Sequence, residues 1–190
     1  MCVVLCCVVL CQVLGANVST RVCADNAELC QQWMKSGRQS YFERVRCMFS
    51  DLNEVTARKG TCHFHCQRTC TVRGGAPDIV CVGLPCSPFT MLRGDRASTP
   101  PQSHGEFQCL LDFIDYMRAV RPGCGFVEEV QSMKCAVKPS QFRPIPECQQ
   151  LPTSWAHFLR SKLRELGYAC EVLSLDNIYW NDVPRERWLM

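Results

Sequence analysis

The chain has 190 residues, 47% of them hydrophobic and 21% charged, enough for one domain with a real core and unlike a disordered or fibrous sequence. Its net charge of +3 lacks the strong basic excess of a dedicated nucleic-acid-binding domain, so charge neither supports nor excludes that partner. Seventeen cysteines, an odd number without regular spacing in a chain too long to depend on disulfides, predict reduced thiols in an intracellular compartment.

Residues 1–14 are apolar apart from Gln12 and are followed by Gly15 and Ala16. Two readings stand: a buried parallel strand, which is preferred, and a secretory signal cleaved near Ala16. No Lys or Arg precedes Arg21, and the run is shorter than the roughly 20 residues needed to span a bilayer, so no membrane partner is expected. Val22-Cys23-Ala24 predicts a short strand ending at Asp25, and residues 27–34 suit a helix. A further strand is expected before Ser50-Asp51-Leu52. Residues 60–75, polar and rich in cysteine and histidine, are expected as a loop or insertion.

Asp78-Ile79-Val80-Cys81-Val82 predicts a buried strand that runs into Gly83-Leu84-Pro85-Cys86-Ser87-Pro88-Phe89-Thr90. Residues 93–105 contain Pro100-Pro101 and small polar residues and are expected to form a mobile connector. Phe107, Leu110, Leu111, Ile114, Met117 and Val120 recur at helical spacing and stop before Pro122. Gly125-Phe126-Val127 leads into Glu128-Glu129-Val130, a strand with carboxylates at its exit. After a proline-rich connection over 138–152, Trp155, Phe158, Leu159, Leu163 and Leu166 form a second helical stripe, with Gly167 in the C-terminal capping position. Residues 169–175 are expected as a strand, and the chain turns apolar again at Trp188-Leu189-Met190. Alternating strands and helices predict an α/β fold with a mostly parallel sheet covered on both faces.

Proline on both sides of Cys86 restricts the loop that carries it, and strand ends in such sheets are where ligands bind. Cys86, Glu128 and the pair Arg185 and Arg187 are expected at three strand ends facing one crevice. A thiol, a carboxylic acid and guanidinium groups suit addition of sulfur to an electron-poor ring whose nitrogen is protonated or hydrogen-bonded. A nearby cation makes the thiolate more available, and Glu128 is the candidate acid.

At these residues the chain resembles the DNA (cytosine-5)-methyltransferase family. The likeness rests on the Pro-Cys loop, on Glu128-Glu129-Val130 after Arg121-Pro122, on Gly94-Asp95-Arg96 and a helix between them, and on Val183-Pro184-Arg185-Glu186-Arg187. It covers residues 22–190 and is strongest over 78–190. It implies a Rossmann-like S-adenosylmethionine-dependent methyltransferase fold, a nuclear or other intracellular location, and transfer of a methyl group to C5 of cytosine in DNA. By the same resemblance, Cys86 attacks C6 of a flipped-out base, Glu128 engages N3 and the amino group, and Arg185 and Arg187 belong to the catalytic set. Asp25 would bind the cofactor ribose, Asp51 the adenine amino group, and Pro85 would line the cofactor side.

The sequence also departs from the family. Its Phe-x-Gly-x-Gly loop has no counterpart before Asp25, Glu129 stands where the family has asparagine, and the target-recognition region and closing helix are expected to be missing, so the domain is read as partial. Two alternatives therefore stand beside DNA methylation: a non-catalytic relic that binds a partner, and a tRNA cytosine-5 methyltransferase. Cys62, His63, His65, Cys66 and Cys70 invite a zinc reading, but Cys-x3-Cys-x3-Cys lacks paired knuckle spacing. A solvated loop is preferred there, and no metal is expected.

Overall fold

A computed structural model describes residues 22–25, 27–36, 45–72, 74–90, 99–176 and 186–190. The apolar run 1–14, the junction at Gly15 and Ala16, the segment with Gly94, Asp95 and Arg96, and Arg185 lie outside the described residues. The chain divides into two units, one built from Met1–Gly83 and Arg118–Gly125 and the other from Leu84–Met117 and Phe126–Met190.

In the first unit, strand β1 (Val22–Ala24), helix α1 (Glu28–Ser36) and strand β2 (Cys47–Phe49) make a β-α-β arrangement, with β1 and β2 parallel and Ala24 opposite Phe49. The strand period of two sorts their side chains onto opposite faces. Cys23 and Met48 pack with Met34 of α1, while Val22, Ala24, Cys47 and Phe49 pack with Cys62, Val55 and Cys70 on the other side. Helix α2 (Leu52–Thr56) begins at Asp51, whose carboxylate accepts from the Asn53 N–H at 2.6 Å.

Residues 60–75 are not the plain loop that their polarity suggests. Strands β3 (Lys59–Cys62) and β4 (Arg68–Thr71) pair antiparallel, Lys59 opposite Thr71 and Cys62 opposite Arg68. The hairpin forms because Cys66 and Gln67 take left-handed backbone angles, φ 51° and 58°, that reverse the chain, with the Gln67 N–H donating to the Cys62 carbonyl at 3.0 Å. Its end docks on β2 through the His63 N–H, which donates to the Met48 carbonyl at 2.8 Å. Strand β5 (Ile79–Gly83) follows, exposed at Ile79 and half-buried beyond it rather than buried throughout.

The second unit contains most of helix α3 (Gln108–Val120), the later part of strand β6 (Cys124–Val130), helix α4 (Trp155–Glu165), and strands β7 (Leu173–Asp176) and β8 (Glu186–Leu189). Leu110, Phe113, Ile114, Tyr116 and Met117 are buried along α3. Helix α4 is capped at both ends: Ser154 Oγ accepts from the His157 N–H at 3.1 Å, and Gly167 at φ 92° closes the C-terminus. There the Gly167 N–H donates to the Arg164 carbonyl and the Tyr168 N–H to the Leu163 carbonyl. Trp155 joins the core at the other end, its ring edge-on to Phe107 at 4.9 Å and to Phe158 at 5.5 Å.

The fold is mixed α/β with short strand pairs. Among the described residues of each unit, β1 and β2 pair in parallel, while β3 with β4, β6 with β8 and β7 with β8 are antiparallel. The expected mostly parallel arrangement differs for a physical reason. Parallel neighbours need a crossover of about a dozen residues or more, and only residues 177–185 separate β7 from β8. None of the described helices is long and apolar enough to cross a membrane.

Candidate functional site

Cys86 is exposed on a loop whose other residues are anchored. Leu84, Pro88 and Phe89 are buried on either side of it, and the Phe89 and Thr90 N–H groups both donate to the Cys86 carbonyl, at 3.0 and 2.8 Å. This tight turn leaves the thiol facing solvent. The loop is tied at two points to the strand that carries Glu128 and to the turn beyond it. The Leu84 N–H donates to the Glu128 carbonyl at 3.4 Å, and Ser132 Oγ donates to the Phe89 carbonyl at 2.6 Å. Phe89 also packs on Phe107, with ring centroids 6.0 Å apart.

Glu128 lies inside β6 rather than at its exit, opposite Leu189 of β8. It is half-buried, whereas Val127 and Glu129, on the other face of the strand, are buried. Glu129 is 1% exposed, and its Oε2 accepts from the Val130 N–H at 2.9 Å. Arg187 stands in β8 opposite Val130, two residues along from the Glu128 position. Pro85 is half-buried beside Cys86. A shallow groove next to the loop is lined by Pro88, Phe89, Ser132, Val137 and Trp155, and neither Cys86 nor Glu128 lines it.

Asp25 and Asp51, in the first unit, leave the same end of the parallel pair. The Asp25 N–H donates to the Phe49 carbonyl at 3.2 Å, which sets it level with the end of β2. Each carboxylate turns the chain into the following helix, Asp25 Oδ1 accepting from the Ala27 N–H at 2.8 Å and Asp51 from Asn53. The same unit also holds a close pair, Ser50 Oγ and His63 Nε2 at 2.6 Å.

The structure thus brings together, in backbone terms, the Cys86 loop and Glu128 in one unit, and Asp25 and Asp51 in the other. The Ser132 anchor carried no sequence signal, because a serine in a polar turn becomes specific only when Phe89, 43 residues earlier, is folded against it. No protein-family model matches the chain, and no curated protein matches it.

Proposed function

We propose that the chain is the catalytic part of an S-adenosylmethionine-dependent cytosine C5-methyltransferase with a Rossmann-like cofactor-binding fold, acting on DNA. The observation that carries this reading is the exposed Cys86 thiol on a turn whose backbone is bonded to that of Glu128. The β1-α1-β2 unit with Asp25 and Asp51 at one end supports the cofactor side, since carboxylate acceptors suit ribose hydroxyls and an adenine amino group. In this reading those two residues hold the cofactor's ribose and adenine.

The chemistry follows from the residue types. Cys86 Sγ adds to C6 of a cytosine turned out of the stack, forming a C–S bond and making C5 nucleophilic. Glu128 holds a proton at N3, so the charge that develops on the ring is neutralised where it forms. S-adenosylmethionine, when bound, supplies the electrophilic methyl group for C5. Loss of the C5 proton to a base restores the C5–C6 double bond, and the C–S electron pair returns to Cys86. Arg185 and Arg187 are assigned to the polar groups of the flipped base.

A second reading, a non-catalytic relic, is favoured by Glu129, a carboxylate buried at an amide position, and by the missing glycine-rich loop. The deciding experiment is a trap with 5-fluorocytosine in a DNA duplex and in a tRNA stem-loop, with S-adenosylmethionine present. Fluorine at C5 cannot leave as a cation, so the adduct persists through denaturation. The expected result is an adduct with DNA that Cys86→Ala abolishes. Preference for the RNA probe selects the tRNA enzyme. No adduct with either probe, or an adduct that survives Cys86→Ala, overturns the mechanism; with no saturable heat on titrating S-adenosylmethionine, the relic stands.

A further inference from the structure

Three sulfur atoms and one imidazole nitrogen meet in the first unit. Cys47 Sγ, Cys62 Sγ, Cys70 Sγ and a ring nitrogen of His65 all lie within 4.8 Å of one another. His65 Nδ1 is 3.1 Å from Cys70 Sγ and 4.0 Å from Cys47 Sγ. A tetrahedral zinc ion bonded at about 2.3 Å to sulfur and about 2.0 Å to nitrogen separates its ligands by roughly 3.5–3.8 Å. The observed spacings bracket that range.

We propose that Cys47, Cys62, His65 and Cys70 form a structural zinc site that pins the β3–β4 hairpin to β2. Three thiolates and one imidazole are a soft donor set that selects zinc over magnesium or calcium, and four protein ligands fill the coordination sphere, which marks a structural rather than a catalytic site. Cys62 ends β3 and His65 sits in the turn three residues later, a Cys-x2-His knuckle; Cys70 returns on β4, and Cys47 comes from β2. Cys47 and Cys62 are buried, Cys70 is half-buried and His65 is exposed, so the ion has an entry path on one side only.

The donors come from three strands and the hairpin turn, so one bound ion would tie β2, β3 and β4 together at a single point. The site is independent of the proposed reaction, since none of its ligands is assigned to substrate or cofactor.

The test is the metal content of the whole chain, purified with reductant from zinc-supplemented cells. One zinc per chain is expected by elemental analysis, lost in Cys70→Ser and in His65→Ala and kept in Cys135→Ser, which alters an exposed cysteine of the other unit. Should the ligand variants fail to fold, cobalt(II) added to the metal-free wild-type chain reads the same site. Visible bands of tetrahedral cobalt with a thiolate charge-transfer band in the near ultraviolet are expected. A chain that carries no zinc and gives no cobalt bands overturns the proposal. So does zinc retained in both ligand variants, or a disulfide joining any two of Cys47, Cys62 and Cys70 in a non-reduced peptide map.

Discussion

Glu54 and Gly60 touch across the start of the β3–β4 hairpin: a Cβ added at Gly60 would come within 2.6 Å of Glu54 Cβ. The close approach lets one carboxylate bind both the residue that follows β2 and strand β3, Oε2 accepting from the Ser50 N–H at 3.1 Å and Oε1 from the Thr61 N–H at 2.9 Å. Glu54→Ala removes both bonds and should lower stability by about 1–3 kcal/mol. Gly60→Ala should lower it too, because the clash falls at the root of the Glu54 side chain, which cannot swing away. Denaturant midpoints at constant slope are the measurement, and an unchanged midpoint for both variants would remove this contact from the account.

Ser154 and Gly167 close the two ends of α4. Ser154→Ala leaves the His157 N–H without its cap and should cost about 1 kcal/mol. Gly167→Ala forces a side chain into a left-handed backbone and should cost about 1–2 kcal/mol. The sites share no partner, so the double variant should equal the sum to within about 0.5 kcal/mol. Thermal unfolding of the set checks all three values.

Trp155 packs against both Phe107 and Phe158 and is 3% exposed. Trp155→Ala should destabilise by about 3–5 kcal/mol by opening a cavity, whereas Trp155→Phe keeps most of the apolar volume and should lose clearly less. Urea unfolding followed by far-ultraviolet circular dichroism distinguishes the two.

Ser132 anchors the cysteine loop, its Oγ donating to the Phe89 carbonyl, so on the proposed mechanism it acts on Cys86 by positioning alone. Ser132→Ala should slow adduct formation about tenfold, the equivalent of one lost hydrogen bond of roughly 1.4 kcal/mol. S-adenosylmethionine affinity by calorimetry should not change. A variant that traps 5-fluorocytosine at the wild-type rate would show that the anchor is irrelevant to Cys86.

Burial raises the thiols of Cys148 and Cys170 above their ordinary value of 9.0. The Lys162 ammonium opposes it at Cys148; Arg164 and Arg160 oppose it at Cys170, where Glu171 adds to it. The unfolded chain therefore loses these protons first as pH rises. Their contribution to stability is intact below pH 9 and is lost as pH climbs through the folded values. Unfolding free energy should fall with pH on the alkaline side of 9.0, with a shallower fall in the Cys148→Ala, Cys170→Ala double variant. Under native conditions iodoacetamide should label exposed Cys86 well before either buried thiol, read by peptide mass.

The helices were legible because their signals are local. The stripe through Leu110, Ile114 and Met117 placed α3, and the stripe through Trp155, Leu159 and Leu163, closed by Gly167, placed α4. Strand direction was not legible in the same way. The apolar run after residue 169 could be recognised as a strand, yet its antiparallel pairing with β8, Leu173 opposite Leu189, depends on a partner that periodicity does not name. Glu128 was correctly attached to a strand but set at its end, because carboxylates usually mark exits and the continuation through Val130 shows only in the pairing.

The sequence alone determined the chemistry on offer: a proline-bracketed thiol at Cys86, a carboxyl at Glu128, acidic residues after two short strands, and sulfur with imidazole between positions 62 and 70. Tertiary structure decided which of these groups meet. Cys47 lies fifteen residues before Cys62 and joins the sulfur cluster because the two-residue period of β2 turns Cys47 and Phe49 toward the hairpin and Met48 toward α1. A slip of one residue in the β1–β2 register would present Met48 there instead. Composition and spacing are properties of the chain, but a site of this kind is a property of strand register.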